Sequence, residues 1–239
     1  MSFLEHLDEL RRRIILALFA TLIGFLASLV ASDRIFAFVM RPLHHSLPTG
    51  GQLIYTEGPE VFVVYLQIGL VAGVLLASPV IMLQVWLFIA PGLYVHEKRL
   101  AVPFVLSATL CFLGGAAFSH YVSFPAASRF FASFATGYVV FQPKVSSAMS
   151  LYLRMLFACA IAFQLPTLTI FLARMRIVTA GWMLRHFKYA TLVVFIVAAV
   201  VTPDSSPVSQ VTLALPMLAL YVLSIGIAWL CRPKDVVFR

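Results

Sequence analysis

Residues 61–90 read VFVVYLQIGLVAGVLLASPVIMLQVWLFIA, a run that contains no charged side chain. A helix needs roughly 20 apolar residues, each adding about 1.5 Å, to cross the hydrocarbon of a bilayer, and this run exceeds that length. Further apolar segments lie on either side of it, at residues 14–32, 100–119, 149–173, 189–201 and 208–230. The sequence therefore predicts an all-α membrane protein with six transmembrane helices.

The composition excludes a water-soluble enzyme. Hydrophobic residues make up 62% of the 239-residue chain and charged residues 11%, which would give a soluble protein a core too large for its surface. No polar segment is long enough to fold alone, so residues 1–239 are expected to form a single polytopic membrane domain. The net charge of +8 is assigned to lipid headgroups rather than to nucleic acid, because the basic residues lie beside the ends of the apolar segments.

The basic residues are distributed unevenly between the two sides of the predicted helices. Of the 17 Lys and Arg residues, twelve lie at the termini and in every second loop, four lie in the opposite loops, and Arg154 lies inside the fourth apolar segment. Cytoplasmic loops of membrane proteins carry the excess of Lys and Arg. Both termini and the loops around Glu97 and Arg185 are therefore predicted to be cytoplasmic, and the first, third and fifth loops are predicted to face outward.

Residues 2–12, which precede the first apolar segment, have the pattern of a short amphipathic helix. Ser2 and Glu5 have the spacing of a capping box, and the apolar residues Phe3, Leu4, Leu7 and Leu10 recur at helical intervals. We expect this helix to lie at the cytoplasmic surface of the membrane. Its charged face is explained either by solvation and the helix dipole or by the binding of a partner, and the sequence leaves both interpretations open.

The fifth apolar segment is too short for an ordinary bilayer. As a helix, residues 189–201 would extend only ~20 Å, whereas the hydrocarbon is ~30 Å thick. The bilayer must thin there, or the helix must stop short of one interface. The last segment contains Pro216, so the hairpin formed by these two segments is predicted to lie in a locally distorted membrane.

Polar side chains inside the apolar segments are functional candidates, because they are costly in lipid. Arg154 is near enough to the outer end of its segment for the guanidinium to reach the interface. Gln164 lies deeper, and its amide needs a partner either on another helix of this chain or on another protein. His44 and His45 are adjacent, a spacing that does not place two imidazoles on one helical face, so we expect no metal site there.

Several segments together resemble the TatC subunit of the twin-arginine protein translocase. They are HLDELRRR at 6–13, SPV at 78–80, QVWLFIAPGLY at 84–94 with HEKR at 96–99, TP at 202–203, SQ at 209–210 and LPM at 215–217. Their order and spacing agree with the six-span topology, and the match covers nearly the whole chain. The resemblance implies a concave bundle with short fifth and sixth spans in the bacterial cytoplasmic (inner) membrane.

The resemblance further implies a receptor for folded cargo proteins whose N-terminal signal carries two consecutive arginines. The positions that match the signal-binding acids of the family are Glu9 and Glu97, and the residues implied beside them are Arg11, Phe88 and Tyr94. Two carboxylates can hold two guanidinium groups in a paired geometry that an ammonium cannot reproduce.

The implied protein partners are TatB and TatA, each with one short span, within an oligomeric TatBC complex. They are expected to make contacts at Gln164 and Met217, and Pro48 is expected to belong to a cap on the outer face. The chain departs from the family at Gln164 and Ser206, where many members carry carboxylates. No cofactor is expected.

Two other classes of membrane protein fit the sequence less well. A small-solute or proton-coupled transporter would need a midplane site with ionisable residues or broken helices at corresponding points of two repeats, and the sequence shows neither repeats nor a charged relay. An intramembrane hydrolase would need a nucleophile and a base within one span, and none of the six His residues is expected in the middle of one. Enzymatic activity is therefore not expected.

Overall fold

The structure is a computed structural model that describes residues 3–45, 47, 52–89, 101–136, 140–175, 177–201 and 207–230. Within these ranges the chain forms ten α-helices, one π-helical turn at Ser119–Ser123, and an isolated β-bridge between Ile54 and Lys144. The predicted all-α class is confirmed. The helices in chain order are α1 (Phe3–Leu29), α2 (Ser32–His44), α3 (Glu60–Ile89), α4 (Ala101–Phe118), α5 (Phe124–Ala132), α6 (Val145–Ala162), α7 (Gln164–Arg174), α8 (Ala180–Arg185), α9 (Phe187–Val201) and α10 (Pro207–Leu230).

The described residues contain five helical segments that are long and apolar enough to cross a membrane, so the protein is a multi-span membrane protein. These segments are Glu5–Leu29, Glu60–Ile89, Val102–Ala132, Val145–Arg174 and Gln210–Leu230. The remaining apolar helix, α9, has 15 residues and extends about 22 Å, which confirms the prediction of a short fifth helix. The sixth helix is not short, since α10 has 24 residues, and that part of the prediction is wrong.

The N-terminal segment and the first apolar segment form one helix. α1 runs without interruption from Phe3 to Leu29 over 27 residues, so the segment predicted to form a surface helix at 2–12 is helical from Phe3 and continuous with the first apolar segment. The physical reason lies between Leu10 and Ile14, where three arginines join the two apolar patterns. Arginine has a high helix propensity, and no Gly or Pro stands there to end the helix.

The third apolar segment is longer than predicted, because the helical backbone continues past residue 119. The π-helical turn Ser119–Ser123 connects α4 to α5, and α5 ends at Ala132. Pro125 has no N–H to donate to the preceding turn, which favours a local change of hydrogen-bonding pattern such as a π turn. The extension places His120 inside an apolar helical segment, contrary to the expectation from the sequence. Its Nδ1 lies 3.2 Å from the Tyr152 hydroxyl.

The fourth apolar segment is divided at Phe163, between α6 and α7. Pro166 lies in the first turn of α7 and supplies no N–H for the carbonyl of Ala162. The main hydrophobic core is formed around α6, where Met149, Met155 and Leu156 are fully buried. The break therefore separates the N-terminal half of the segment, α6, from a C-terminal half, α7, that packs on α4 and α10.

α1 and α3 are held together at backbone distance. A Cβ on Gly24 would lie 2.7 Å from the Gly73 carbonyl oxygen, and a Cβ on Gly73 would lie 2.6 Å from the Phe25 nitrogen. Ser28 Oγ also donates to the Gly69 carbonyl at 2.8 Å. This close crossing aligns the first turns of α1 with the last turns of α3.

A polar cluster ties together two loops that were both predicted to face outward. The buried carboxylate of Glu60 accepts hydrogen bonds from the backbone N–H of Thr56 at 3.0 Å and of Ser146 at 2.9 Å. Lys144 Nζ lies 3.1 Å from Glu57 Oε1 and 3.5 Å from Glu60 Oε2, and the hydrogen bond to Glu57 is the main cause that raises the pKa of Lys144. Residues 52–60 are thereby fixed against the start of α6.

Candidate functional site

The first turns of α1 carry an ion pair that also reaches α3. Arg13 Nη2 lies 3.1 Å from Glu9 Oε1, and Arg13 Nη1 donates to Gln84 Oε1 at 3.4 Å. Glu and Arg four residues apart face each other on a helix. The two charged side chains are only 17% and 24% exposed, so Arg13 links the two helices from a partly desolvated position.

Two polar atoms of this pair have no hydrogen-bond partner within the described residues. Glu9 Oε2 and Arg13 Nε are both shielded from solvent. A buried polar atom without a partner costs free energy. The pair thus retains one unused acceptor and one unused donor.

Aromatic stacking adds a second contact between the same two helices. The His6 ring stacks on Phe88 with the ring centroids 4.5 Å apart and the planes inclined by 24°. His6, Glu9 and Arg13 are spaced by three and four residues and therefore share one face of α1. This arrangement, formed by His6, Glu9, Arg13, Gln84 and Phe88, is termed the α1/α3 patch.

The structure brings two of the predicted signal-binding residues, Glu9 and Phe88, into the α1/α3 patch. Arg11 is exposed on another face of α1. Glu97 and Tyr94 lie outside the described residues, as does Pro48 of the predicted outer cap. The charged part of the α1/α3 patch that the structure describes is therefore the Glu9–Arg13 pair.

A second candidate site is a groove of about 980 Å³ between α6, α9 and α10. Its walls are mainly apolar, and among the described residues that line it Arg154 on α6 is the charged one. Met217, predicted to contact a partner, lies in the wall and is 7% exposed. The volume falls at the upper end of the range of about 300–1,000 Å³ that is usual for binding pockets.

Aromatic and basic side chains mark the end of the groove near the start of α9. Trp182 stacks on His186 with the centroids 4.3 Å apart, and Lys188 Nζ lies 5.0 Å from the centre of the Tyr189 ring. Trp, Tyr and Lys are enriched where a membrane helix meets the headgroups. This end of the groove therefore has the composition of a membrane interface.

Gln164 does not line the groove. Its Nε2 donates to the Ala108 carbonyl on α4 at 3.0 Å, so of the two alternatives left open by the sequence, the contact with another helix of the chain is present. The nearby hydroxyls of Thr109 and Thr167 are buried and make no hydrogen bond within the described residues. Of the two predicted partner residues, Gln164 thus lies against α4, whereas Met217 lies in the groove.

The sequence analysis missed Arg13 and Gln84 as members of the site. The spacing of four residues between Glu9 and Arg13 was a usable signal, because it predicts an ion pair on a helix. Gln84, like Gln67, was an amide in a largely apolar span, and the reasoning applied to Gln164 would have singled it out as well. Glu60 was also missed, because its partners lie 4 and 86 residues away.

Sequence comparisons place this architecture among known proteins. Residues 5–216 match the family model described as Sec-independent protein translocase protein (TatC). A relative from Koribacter versatilis (strain Ellin345), a Sec-independent protein translocase protein TatC, is 41% identical over 240 residues, covering 98% of this chain and 88% of the relative. A TatC from Helicobacter pylori (strain J99) is 39% identical over 228 residues, covering 95% of this chain and 89% of the relative.

Solved structures agree with these relatives. A crystal structure described as the twin arginine translocase receptor TatC superposes with a TM-score of 0.84 at 32% identity, covering 95% of this chain and 99% of the other. A second crystal structure of that receptor, in DDM, gives a TM-score of 0.83 at 31% identity, covering 93% of this chain and 99% of the other. Because the family model and full-length relatives agree with the fold, this chain belongs to the TatC family of Sec-independent protein translocase proteins.

Proposed function

We propose that this protein is the receptor subunit of a twin-arginine translocase, which binds signal peptides with two consecutive arginines and recruits TatB and TatA. The observation that carries the proposal is the partly desolvated Glu9 carboxylate, whose Oε2 has no hydrogen-bond donor within the described residues. A guanidinium presents a planar fork that can engage both oxygens of a carboxylate. Glu9 is thus suited to bind one signal arginine.

In this proposal Glu97 supplies the second carboxylate. Fully exposed ion pairs contribute only about 0–1 kcal/mol, too little to select one peptide from many. A partly desolvated carboxylate loses more when its partner is removed, because the remaining charge is left uncompensated. Glu9 and Glu97 together would then hold the arginine pair, with Phe88 and Tyr94 beside it.

The proposed location is the bacterial cytoplasmic (inner) membrane with both termini in the cytoplasm. The excess of basic residues on the side of the termini supports this orientation. His6 stacks on Phe88, so the start of α1 lies next to the end of α3, and the Glu57–Lys144 pair joins the first loop to the third. These contacts are those expected for the proposed topology.

The groove between α6, α9 and α10 is the proposed docking site for the single span of a partner subunit, TatB or TatA. α9 is short, so a short partner helix would match its length. The wall is apolar, and its exposed guanidinium at Arg154 would favour a partner helix with an acidic or polar side chain at that depth. Met217 would contact the partner from the wall of the groove.

Binding of a labelled twin-arginine signal peptide to the detergent-solubilised protein tests the receptor function. Glu9→Gln and Glu97→Gln should each weaken binding by about 2–5 kcal/mol, whereas membrane insertion and folding should be unchanged. Asp8→Asn is the matched control for Glu9→Gln, because Asp8 is exposed on the same helix and the change in charge is identical. Equal affinity of the parent and Glu9→Gln for the arginine signal would refute the role of Glu9.

A further inference from the structure

We infer that Arg13 regulates the signal site as an internal competitor, whose guanidinium occupies Glu9 in the free protein and must leave before a signal arginine can bind. The inference rests on the proposed role of Glu9 in signal binding. It adds to that role a residue that lowers the affinity of the site. Arg13 belongs to this chain, yet its guanidinium is the same chemical group as the proposed ligand.

The geometry shows a partial engagement that a better ligand can replace. Arg13 uses Nη2 for one oxygen of Glu9 and Nη1 for a long contact of 3.4 Å to Gln84, while its Nε remains without a partner among the described residues. Glu9 likewise uses one oxygen. An arginine that approached from the signal peptide could engage both carboxylate oxygens at once, which is the stronger arrangement.

The charges make the two guanidinium groups alternatives. Two cations on one carboxylate leave an excess positive charge, and at 17% and 24% exposure water screens that charge only in part. Glu9 Oε2 is shielded from solvent in the free protein, so the α1/α3 patch must open before a ligand reaches it. Arg13 is therefore displaced when the signal arginine binds.

Competition has a signature that a direct binding contact would lack. The cost of displacing Arg13 is the same for every ligand that needs Glu9, so it lowers the affinities for an arginine signal and for its lysine analogue by one common factor. Removing Arg13 should raise both affinities equally and leave their ratio unchanged. If Arg13 instead positions Glu9 for the arginine fork, its removal should weaken the arginine signal more than the lysine analogue, because an ammonium is less sensitive to geometry.

The test measures binding of labelled signal peptides, with paired arginines or paired lysines, to the full-length protein in detergent. Arg13→Gln should bind both peptides about three- to tenfold more tightly, the factor expected for the loss of one competing hydrogen bond of ordinary net strength. Arg12→Gln is the matched control, since Arg12 is the exposed neighbour and the variant carries the same net charge. Its effect should be smaller and should vanish at raised salt concentration, where surface charges are screened.

The outcomes separate this inference from the proposed function. If Glu9→Gln loses binding while Arg13→Gln binds no more tightly than Arg12→Gln, or binds the arginine peptide more weakly, the competitor role is wrong and the receptor function stands. If Glu9→Gln binds like the parent, both fail. Should Arg13→Gln not purify as a folded protein, Arg13→Lys serves instead, because an ammonium cannot bridge Glu9 and Gln84 with the same fork. This variant should raise the affinity for both peptides by a smaller common factor.

Discussion

At the scale of single residues, Gln164 shows how an amide within an apolar segment is satisfied by the chain itself. Because its Nε2 already donates to the Ala108 carbonyl, Gln164→Leu should lower the stability of the protein by about 0.6–1.7 kcal/mol, the range measured for hydrogen bonds between membrane helices. Thermal unfolding in detergent measures the change. Gln67→Leu on α3 is a suitable control, since no hydrogen bond of that amide is found within the described residues, and it should cause no such loss.

Glu60 gives a second prediction at this scale. Glu60→Gln replaces one carboxylate oxygen by an NH₂ group. In either orientation this group faces a backbone N–H, of Ser146 or of Thr56, and beside Thr56 it also faces the Lys144 ammonium, so at least one of these contacts is lost. The midpoint of thermal unfolding should fall by several degrees. Glu57→Gln should have a much smaller effect, because Glu57 is 69% exposed and exposed ion pairs contribute little.

At the scale of helices, the crossing of α1 and α3 should be intolerant of any added atom. Gly73→Ala places a Cβ 2.6 Å from the Phe25 nitrogen, so the backbones must separate, at a cost of about 1–3 kcal/mol for overpacking. The shift should also displace Arg13 from Gln84 and His6 from Phe88, and it should change the affinity for the signal peptide.

Gly226→Ala is the control for this helix crossing. A Cβ on Gly226 of α10 would meet nothing within 4 Å, so the substitution should stabilise the protein by about 0.5–1 kcal/mol through the helix propensity of alanine. The midpoint of thermal unfolding should therefore fall for Gly73→Ala and rise for Gly226→Ala, and signal binding should change only for Gly73→Ala. A stable Gly73→Ala variant with unchanged signal binding would contradict the proposed importance of the crossing.

The short helix α9 offers two faces that can be compared directly. Val193 lines the groove and is 56% exposed, whereas Leu192 lies outside the lining and is 59% exposed. Val193→Trp should fill the groove and reduce the recovery of partner subunits in co-purification from membranes. Leu192→Trp should leave recovery unchanged, and equal recovery of partners with both variants would show that they dock elsewhere. Signal binding should be unaffected by either substitution.

At the scale of the whole molecule, the orientation in the membrane is open to a labelling test. In a variant without native cysteines, a cysteine at Tyr55 should react with an impermeant reagent added to the outside of intact cells, whereas a cysteine at Ile177 should not. Both side chains are well exposed, at 62% and 61%, so access to the reagent depends on the side of the membrane. The opposite pattern would reverse the proposed topology.

Much of the fold was predictable, because the lengths of the apolar segments and the positions of helix-breaking residues can be read directly from the sequence. The α9 helix was recognised as short, and Pro166 lies just after the break in the fourth segment. The continuity of α1 and the extension past residue 119 were missed, since both depend on how helical hydrogen bonding passes through a charged or π-helical region.

The candidate site was predictable only in part. Glu9 and Phe88 followed from the resemblance to the TatC family, and the contact between Arg13 and Gln84 did not, because it spans 71 residues and exists only where α1 and α3 cross closely. The groove at Met217 depends on the packing of three helices, which no local pattern contains. Sequence reasoning therefore found individual residues more readily than their partners.

The unequal lengths of α9 and α10 have a consequence for the surrounding lipid. Helices of 15 and 24 residues extend about 22 Å and 36 Å, so one flat slab of hydrocarbon cannot match both. Bilayer deformation costs fractions of a kcal/mol per ångström of mismatch, and lipids beside α9 carry that elastic strain. A helix that covers α9 would relieve this bilayer deformation. The free energy released would come from the lipid rather than from a contact within the protein, and it would favour docking of that helix.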